Sequence, residues 1–487
     1  MNSQFRTWMD APRTMVWSAT AWLLATAAFV SLTIALGGPV SADSAQSVYT
    51  ALMMSHGRWS CAYPPLTSSQ FNGSPLVFIS PFYTLLSAGF ARLMGLGSGS
   101  PFPSIASLGA NCSHAITQTA LWTQSTNVLT PMLRFGFISW VVLSGGVVAT
   151  LRACNKGRNG REVITLMAVA CSAPVVSSLV FSFHPEDIMA MGLILFAIVS
   201  LVRERWSLVG VFVALAALTQ LYALLALIPL AVSLPRTRRV AFATSFVATL
   251  TAVALPLVMA TSGRVLHSIE FGTSKVGEST ISAGGTLLFS TGLHGTELFF
   301  LSRVAPLLAA AALSFGVVRR WGDDVRQPEI LVSLVATSLA LRLVFEVNAF
   351  GYYYMASIVA LLVLDALRGR IRGGTIALIG LITLVFNPVA IYIHWRGKFV
   401  GPEVRAVLPI ILSIPVVTVL LVGIFHRHIK WYLVIWQSLV LLAFIRVPLP
   451  VNHFKAIVPL WCWQLFLMPP LLFLLTTPLR ESEAKLE

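Results

Sequence analysis

Long apolar runs separated by short polar breaks make up most of this chain. Residues 15–36, 132–151, 163–180, 188–202, 240–259, 301–318, 331–345, 352–367, 376–393, 407–424, 431–445 and 457–475 each approach the ~20 residues that a helix needs to cross a bilayer. The pattern predicts an all-α polytopic membrane protein with about twelve spans and no separate soluble domain.

The polar breaks orient these spans. Arg152/Lys156/Arg158/Arg161, Arg203/Arg205, Arg236/Arg238/Arg239, Arg319/Arg320/Arg326, Arg368/Arg370/Arg372 and Arg427/Lys430 cluster between apolar runs, as cytoplasmic loops do. With Arg6 and Arg13 before the first run, both termini are expected on the cytoplasmic side of a plasma membrane. The first run reads as a retained helix, without a signal-peptide cleavage pattern.

Two segments do not alternate. Residues 38–130 should begin and end outside, yet 75–96 is apolar. We expect an in-plane or re-entrant helix inside one large outer loop, with a hairpin of two short segments as the alternative. Residues 207–234 lie between two basic clusters and are long for one span but short for two. They suggest a helical hairpin turning near Thr219-Gln220-Leu221-Tyr222. A Gly- and Ser-containing loop, 261–297, is expected to be flexible and to gate a substrate. Pro174, Pro388 and Pro469-Pro470 should kink their helices.

Composition agrees with a membrane protein. Hydrophobic residues make up 56% and charged residues 10% of 487 residues, and the mean hydropathy is +0.82. The net charge of +15 is spread through topology-setting clusters, which argues against a nucleic-acid partner.

The densest chemistry is Phe183-His184-Pro185-Glu186-Asp187, three titratable side chains between two apolar runs. Proline and carboxylates suit a first helical turn. Charge at a membrane boundary equally suggests a site. On the same predicted face lies Asp43, the only acidic residue between the first run and Glu162. It reads either as a helix cap in Ser41-Ala42-Asp43-Ser44 or as a functional carboxylate. His56, Arg58, Trp59 and Tyr63 form a polar-aromatic stretch suited to a sugar or to an interfacial belt.

Arg264, Lys275, Arg303, Arg342, Arg396, Lys398, Arg405, Arg446 and Lys455 break the charge rule by falling outside, as expected for an anionic ligand such as a lipid phosphate. Arg342 stands within an apolar run. It can pair with Glu346 one turn on, bind a ligand, or both. Tyr352 and Tyr353 follow in a turn that reads as a pocket rim or an aromatic belt. Cys61 and Cys112 both fall in the first outer loop, where an oxidising compartment would favour a disulfide. Asn111-Cys112-Ser113 matches a glycosylation sequon. The sequence contains no phosphate-binding glycine loop, nucleophile elbow or zinc-ligand spacing.

This layout resembles the GT-C superfamily of integral-membrane glycosyltransferases. Those enzymes carry an acidic residue shortly after the first helix, here Asp43, and a short helical pair bearing a Lys or Gln, here near Gln220 and Tyr222. The His184 to Asp187 and Arg342 to Tyr354 stretches look like motifs of actinobacterial polyprenol-phosphate-mannose-dependent mannosyltransferases.

The resemblance implies a polyprenyl-phosphate sugar donor, a lipid-linked or cell-envelope glycan acceptor, and an extracytoplasmic active site. Asp43 would be the base, with Glu186 or Asp187 next. Arg342 and Lys275 would hold phosphate, and His184 would position substrate. Asp43 lacks the paired acid of the family pattern, which argues against a metal-dependent mechanism. Two other readings remain. One is a transporter or flippase of a polyprenyl-linked sugar or another anionic lipid, which would usually show internal repeats and midplane polar groups not found here. The other is a non-catalytic scaffold of an envelope-synthesis complex.

Overall fold

A computed structural model describes residues 15–35, 42–63, 80–93, 112, 129–154, 159–180, 184–266, 295–345 and 351–369. All regular secondary structure among them is helical. The first part contains α1 (Met15–Ala35), α2 (Ala42–Ser55), α3 (Trp59–Ala62) and α4 (Pro81–Leu93). The middle contains α5 (Leu129–Ala153), α6 (Asn159–Ala170), α7 (Ala173–Val180), α8 (Pro185–Val202), α9 (Trp206–Thr219) and α10 (Leu224–Val232). Then come α11 (Arg239–Ala260), α12 (Gly295–Trp321), α13 (Pro328–Phe345) and α14 (Met355–Leu367). Among the described residues, four segments have the length and apolarity of a span: Gly136–Ala153, Pro185–Val202, Arg236–Ala260 and Phe300–Arg326. The chain is an all-α polytopic membrane protein. The expected spans beyond residue 369, with Pro388 and Pro469-Pro470, lie outside the described residues.

The centre of the bundle is α8, which is buried along nearly its whole length. It packs most extensively against α5 and α9. Glycines allow its close approach to α5. A Cβ on Gly192 would lie 2.7 Å from the Val142 carbonyl oxygen and the Leu143 nitrogen, and one on Gly146 would lie 2.8 Å from the Gly192 carbonyl oxygen. Small residues bring helix backbones together where apolar side chains gain nothing by leaving lipid.

On another side, α1 is tied to α5 through paired polar groups. The Trp22 indole donates to Ser144 Oγ at 2.8 Å, the Trp140 indole donates to Thr26 Oγ1 at 3.0 Å, and Phe29 stacks on Trp140 at 4.5 Å.

The sequence pattern treats 163–180 as one run, but the fold divides it into α6 and α7. Pro174 has no N–H to continue the helical ladder. The chain therefore breaks at Cys171-Ser172, and Ser172 restarts it by accepting from the Val175 and Val176 amides, both at 3.1 Å. A second interruption falls at Gln220. A 3-10 turn, Leu221–Ala223, joins α9 to α10. At 1.5 Å per residue these two helices are about 21 Å and about 14 Å long, less than the ~30 Å of a bilayer core.

The first loop is anchored at several points. Cys61 and Cys112 form a disulfide, with their Cα atoms 5.3 Å apart. The buried Tyr49 hydroxyl donates to the Cys61 carbonyl at 2.8 Å and reaches the Cys112 carbonyl at 3.5 Å. Burial raises the Tyr49 phenol above its ordinary pKa, against the lowering effect of Arg58 and Arg264, so it acts as a neutral donor. The Arg264 guanidinium, next to the end of α11, donates to the Ser60 carbonyl. Ser80 Oγ donates to the Leu218 carbonyl at 3.3 Å, placing the start of α4 at the end of α9. At about 20 Å, α4 is itself shorter than a bilayer core.

Gly192→Ala tests the α5–α8 contact. The added carbon meets backbone atoms that cannot rotate away, and overpacking of this kind costs about 1–3 kcal/mol. The purified variant is expected to melt several degrees below the parent. An unchanged melting temperature would show that the helices are further apart.

Candidate functional site

The start of α8 builds the site. The His184 amide donates to the Ser178 carbonyl at 2.5 Å. His184 then occupies the N-cap of α8, Pro185 fits its first turn without needing a donor, and Glu186 and Asp187 follow. The three titratable residues are 6%, 3% and 1% exposed. His184 Nδ1 and Glu186 Oε1 are 2.7 Å apart. One ligand atom from each of His184, Glu186 and Asp187 lies within 4.8 Å of the others.

These carboxylates are more than an ordinary helix start. The N-cap has no side-chain capping hydrogen bond. Glu186 Oε2 and Asp187 Oδ2 are buried and accept no hydrogen bond among the described residues. Burying such oxygens is unfavourable without a donor or a cation.

The interruption between α9 and α10 supplies neighbours. The Tyr222 hydroxyl donates to the Asp187 carbonyl at 2.8 Å. Gln220 accepts from the Leu221 amide at 3.0 Å, and its side chain is within hydrogen-bonding reach of the Asp187 carboxyl. The turn of α9–α10 and the start of α8 therefore share one level. Tyr83, buried on α4, lies near enough to Glu186 to sense its charge. It was hidden in the sequence because it sits within an apolar run.

Arg342, from the last turn of α13, completes the cluster. Its guanidinium carbon is 3.7 Å from the centroid of the Tyr353 ring and 5.3 Å from that of Tyr222, and its charge acts on Asp187. A cation over an aromatic face in this way is more often Arg than Lys, and the contact restrains the guanidinium. The alternative partner, Glu346, lies outside the described residues, as does Lys275. Tyr352 belongs to the 3-10 turn Gly351–Tyr354, but its side chain is outside the description.

The fold thus brings together His184, Glu186, Asp187, Gln220, Tyr222, Arg342 and Tyr353. The other expected residues are placed differently. Tyr63 is 1% exposed, with its ring packed into the core. His56 turns back on its own helix, with Nδ1 2.9 Å from Ser55 Oγ and 3.1 Å from the Leu52 carbonyl oxygen. Arg58 lies near the Tyr49 phenol, beside the Cys61–Cys112 disulfide. Arg264, expected among the ligand-binding cations, is engaged with the Ser60 carbonyl. Asp43 lies in the first turn of α2, with its side chain outside the description.

Chemically, the cluster joins a carboxylate pair and an imidazole to a fixed guanidinium. Carboxylates of this type can accept a proton or bind a cation, while the guanidinium can hold an anion. Asp187→Asn and Glu186→Gln separate a site from a helix start. Each removes a poorly satisfied buried charge and is expected to leave the melting temperature unchanged or higher in the absence of ligand. A loss of about 1 kcal/mol or more, as for a removed cap or dipole partner, would make the carboxylates structural.

Comparison with curated proteins gave no match. Residues 123–345, from before α5 to the end of α13, match the family model of glycosyltransferase family 87; they include His184, Glu186, Asp187, Gln220, Tyr222 and Arg342 but not Asp43. Over this part, the chain is similar to a GT-C-like family of membrane glycosyltransferases.

Proposed function

We propose that the chain is a glycosyltransferase that moves a sugar from a polyprenyl-phosphate donor to a lipid-linked or cell-envelope glycan acceptor at the extracytoplasmic face of the plasma membrane. One observation carries this reading. Within the region similar to glycosyltransferase family 87, a buried His-carboxylate cluster meets an arginine held between tyrosines. The likeness supports glycosyl transfer, and the juxtaposition supports a donor with an anionic leaving group.

In this mechanism, the acceptor hydroxyl oxygen forms a bond to the anomeric carbon while the bond from that carbon to the phosphate oxygen breaks. The hydroxyl proton passes to a carboxylate, and the polyprenyl phosphate leaves with the bonding electron pair. Asp43 is the first candidate for that base, and Glu186 or Asp187 the second. Arg342 holds the departing phosphate, with Lys275 as a further cation. Its stacked guanidinium is already oriented, so little reorganisation accompanies charge development. His184 and Gln220 position substrate hydroxyls. The turn at Gln220 stands at the level of the cluster and brings Gln220 to the Asp187 carboxyl.

Sugar transfer by the full chain in membranes tests the base. Asp43→Asn is expected to reduce transfer by roughly a hundredfold or more while the protein elutes and melts as the parent does. Unchanged transfer would remove Asp43 from the chemistry and pass the role to Glu186 or Asp187.

A further inference from the structure

We propose that His184, Glu186 and Asp187 form a binding site for one divalent cation of the Mn2+ or Zn2+ type. The claim stands on the cluster's geometry; a role for the cation at a phosphate rests on the function proposed above.

Three observations carry it. First, the ligand atoms converge: one from each residue, all within 4.8 Å of one another. A cation held at about 2.1 Å places neighbouring donors roughly 3.0–3.4 Å apart, so side-chain rotations that close the set by about 1–2 Å bring all three onto one ion. Second, two oxygens in the cluster lack a partner. Glu186 Oε2 and Asp187 Oδ2 are enclosed, on residues 3% and 1% exposed, and no donor among the described residues reaches them. Carboxylates that served only the helix dipole would bond the free amides of the first turn or face solvent, and Glu186 Oε2 and Asp187 Oδ2 do neither. Third, the donor set fits. An imidazole with two carboxylates suits first-row divalent ions, and the 2.7 Å contact between His184 Nδ1 and Glu186 Oε1 is the kind of carboxylate–histidine pairing that orients a ligating ring.

Arg342 is the nearby guanidinium, and its charge acts on Asp187. A divalent ion at the cluster would set a second positive charge beside it, so that the guanidinium and the ion form a joint cradle for an anion.

The full chain, stripped with EDTA and held in lipid nanodiscs, can be titrated with MnCl2 while the free-ion electron paramagnetic resonance signal is followed. One saturable site per chain is expected, displaced by Zn2+ and weakened roughly tenfold or more in Asp187→Asn and Glu186→Gln. Nitrogen coupling to bound Mn2+ in the unaltered chain would identify the His184 ligand without relying on a variant that folds. A monodisperse parent that binds neither Mn2+ nor Zn2+ overturns the proposal. So does bound Mn2+ without nitrogen coupling, or binding that survives both substitutions. Sugar transfer by metal-free chain overturns the cation's role at the phosphate and leaves the glycosyltransferase reading standing. Mn2+ bound at the site in a chain without any transfer activity supports the site and counts against that reading.

Discussion

Two carboxylates enclosed at the start of a helix are the constraint around which this bundle is arranged. Glu186 and Asp187 begin α8, the most enclosed helix among the described residues. Charge in that position is unfavourable unless neighbours compensate it. The neighbours come from separate parts of the chain. They are His184 from the α7–α8 passage, Gln220 and Tyr222 from the broken α9–α10 segment, Arg342 from α13, and Tyr353 from the turn before α14. Each break in helical regularity near this level delivers a polar group to the same place.

The breaks have identifiable causes. Pro174 stops α6 from running into α7, so the chain makes a short second helix that delivers His184 against the Ser178 carbonyl. Gln220 adopts an extended backbone at the end of α9, and its own side chain accepts from the next amide. Interrupted helices are tolerated at membrane depth where protein or a cavity takes over the freed backbone groups. Here Tyr222 uses that freedom to bond the first turn of α8. The first loop adds a further clamp, because Ser80 binds the end of α9 while the Cys61–Cys112 disulfide closes the loop on itself. Tyr83 is thereby brought toward Glu186 from a region far away in sequence.

Much of this was legible in the residues themselves. Apolar runs revealed α1, α5, α8, α11, α12, α13 and α14 to within a few residues, since a bilayer-length apolar helix has a strong one-dimensional signature. The polar patches at His184 to Asp187 and at Arg342 stood out because charge is rare in such runs. Expectation and fold parted where composition carries no direction. Tyr63 looked like an exposed aromatic and is packed into the core, and Arg264 looked like a free outer cation and is engaged with a backbone carbonyl. Burial and partner choice depend on which helices meet, and the spacing of residues along one helix does not contain that information.

The sequence by itself determined the class of the protein: the helices, their apolarity, and the three titratable residues bound to sit at a helix start because Pro185 fits its first turn and no donor is required there. Tertiary structure alone decided that Arg342 faces Tyr353 and Asp187, 155 positions earlier in the chain, and that Glu186 Oε2 and Asp187 Oδ2 are enclosed without a partner among the described residues. The physical reason is the close approach of α5 and α8. Gly146 and Gly192 let those backbones touch, enclosing α8, and enclosure turns an ordinary run of polar residues into a charged cluster that must find its compensation across the bundle.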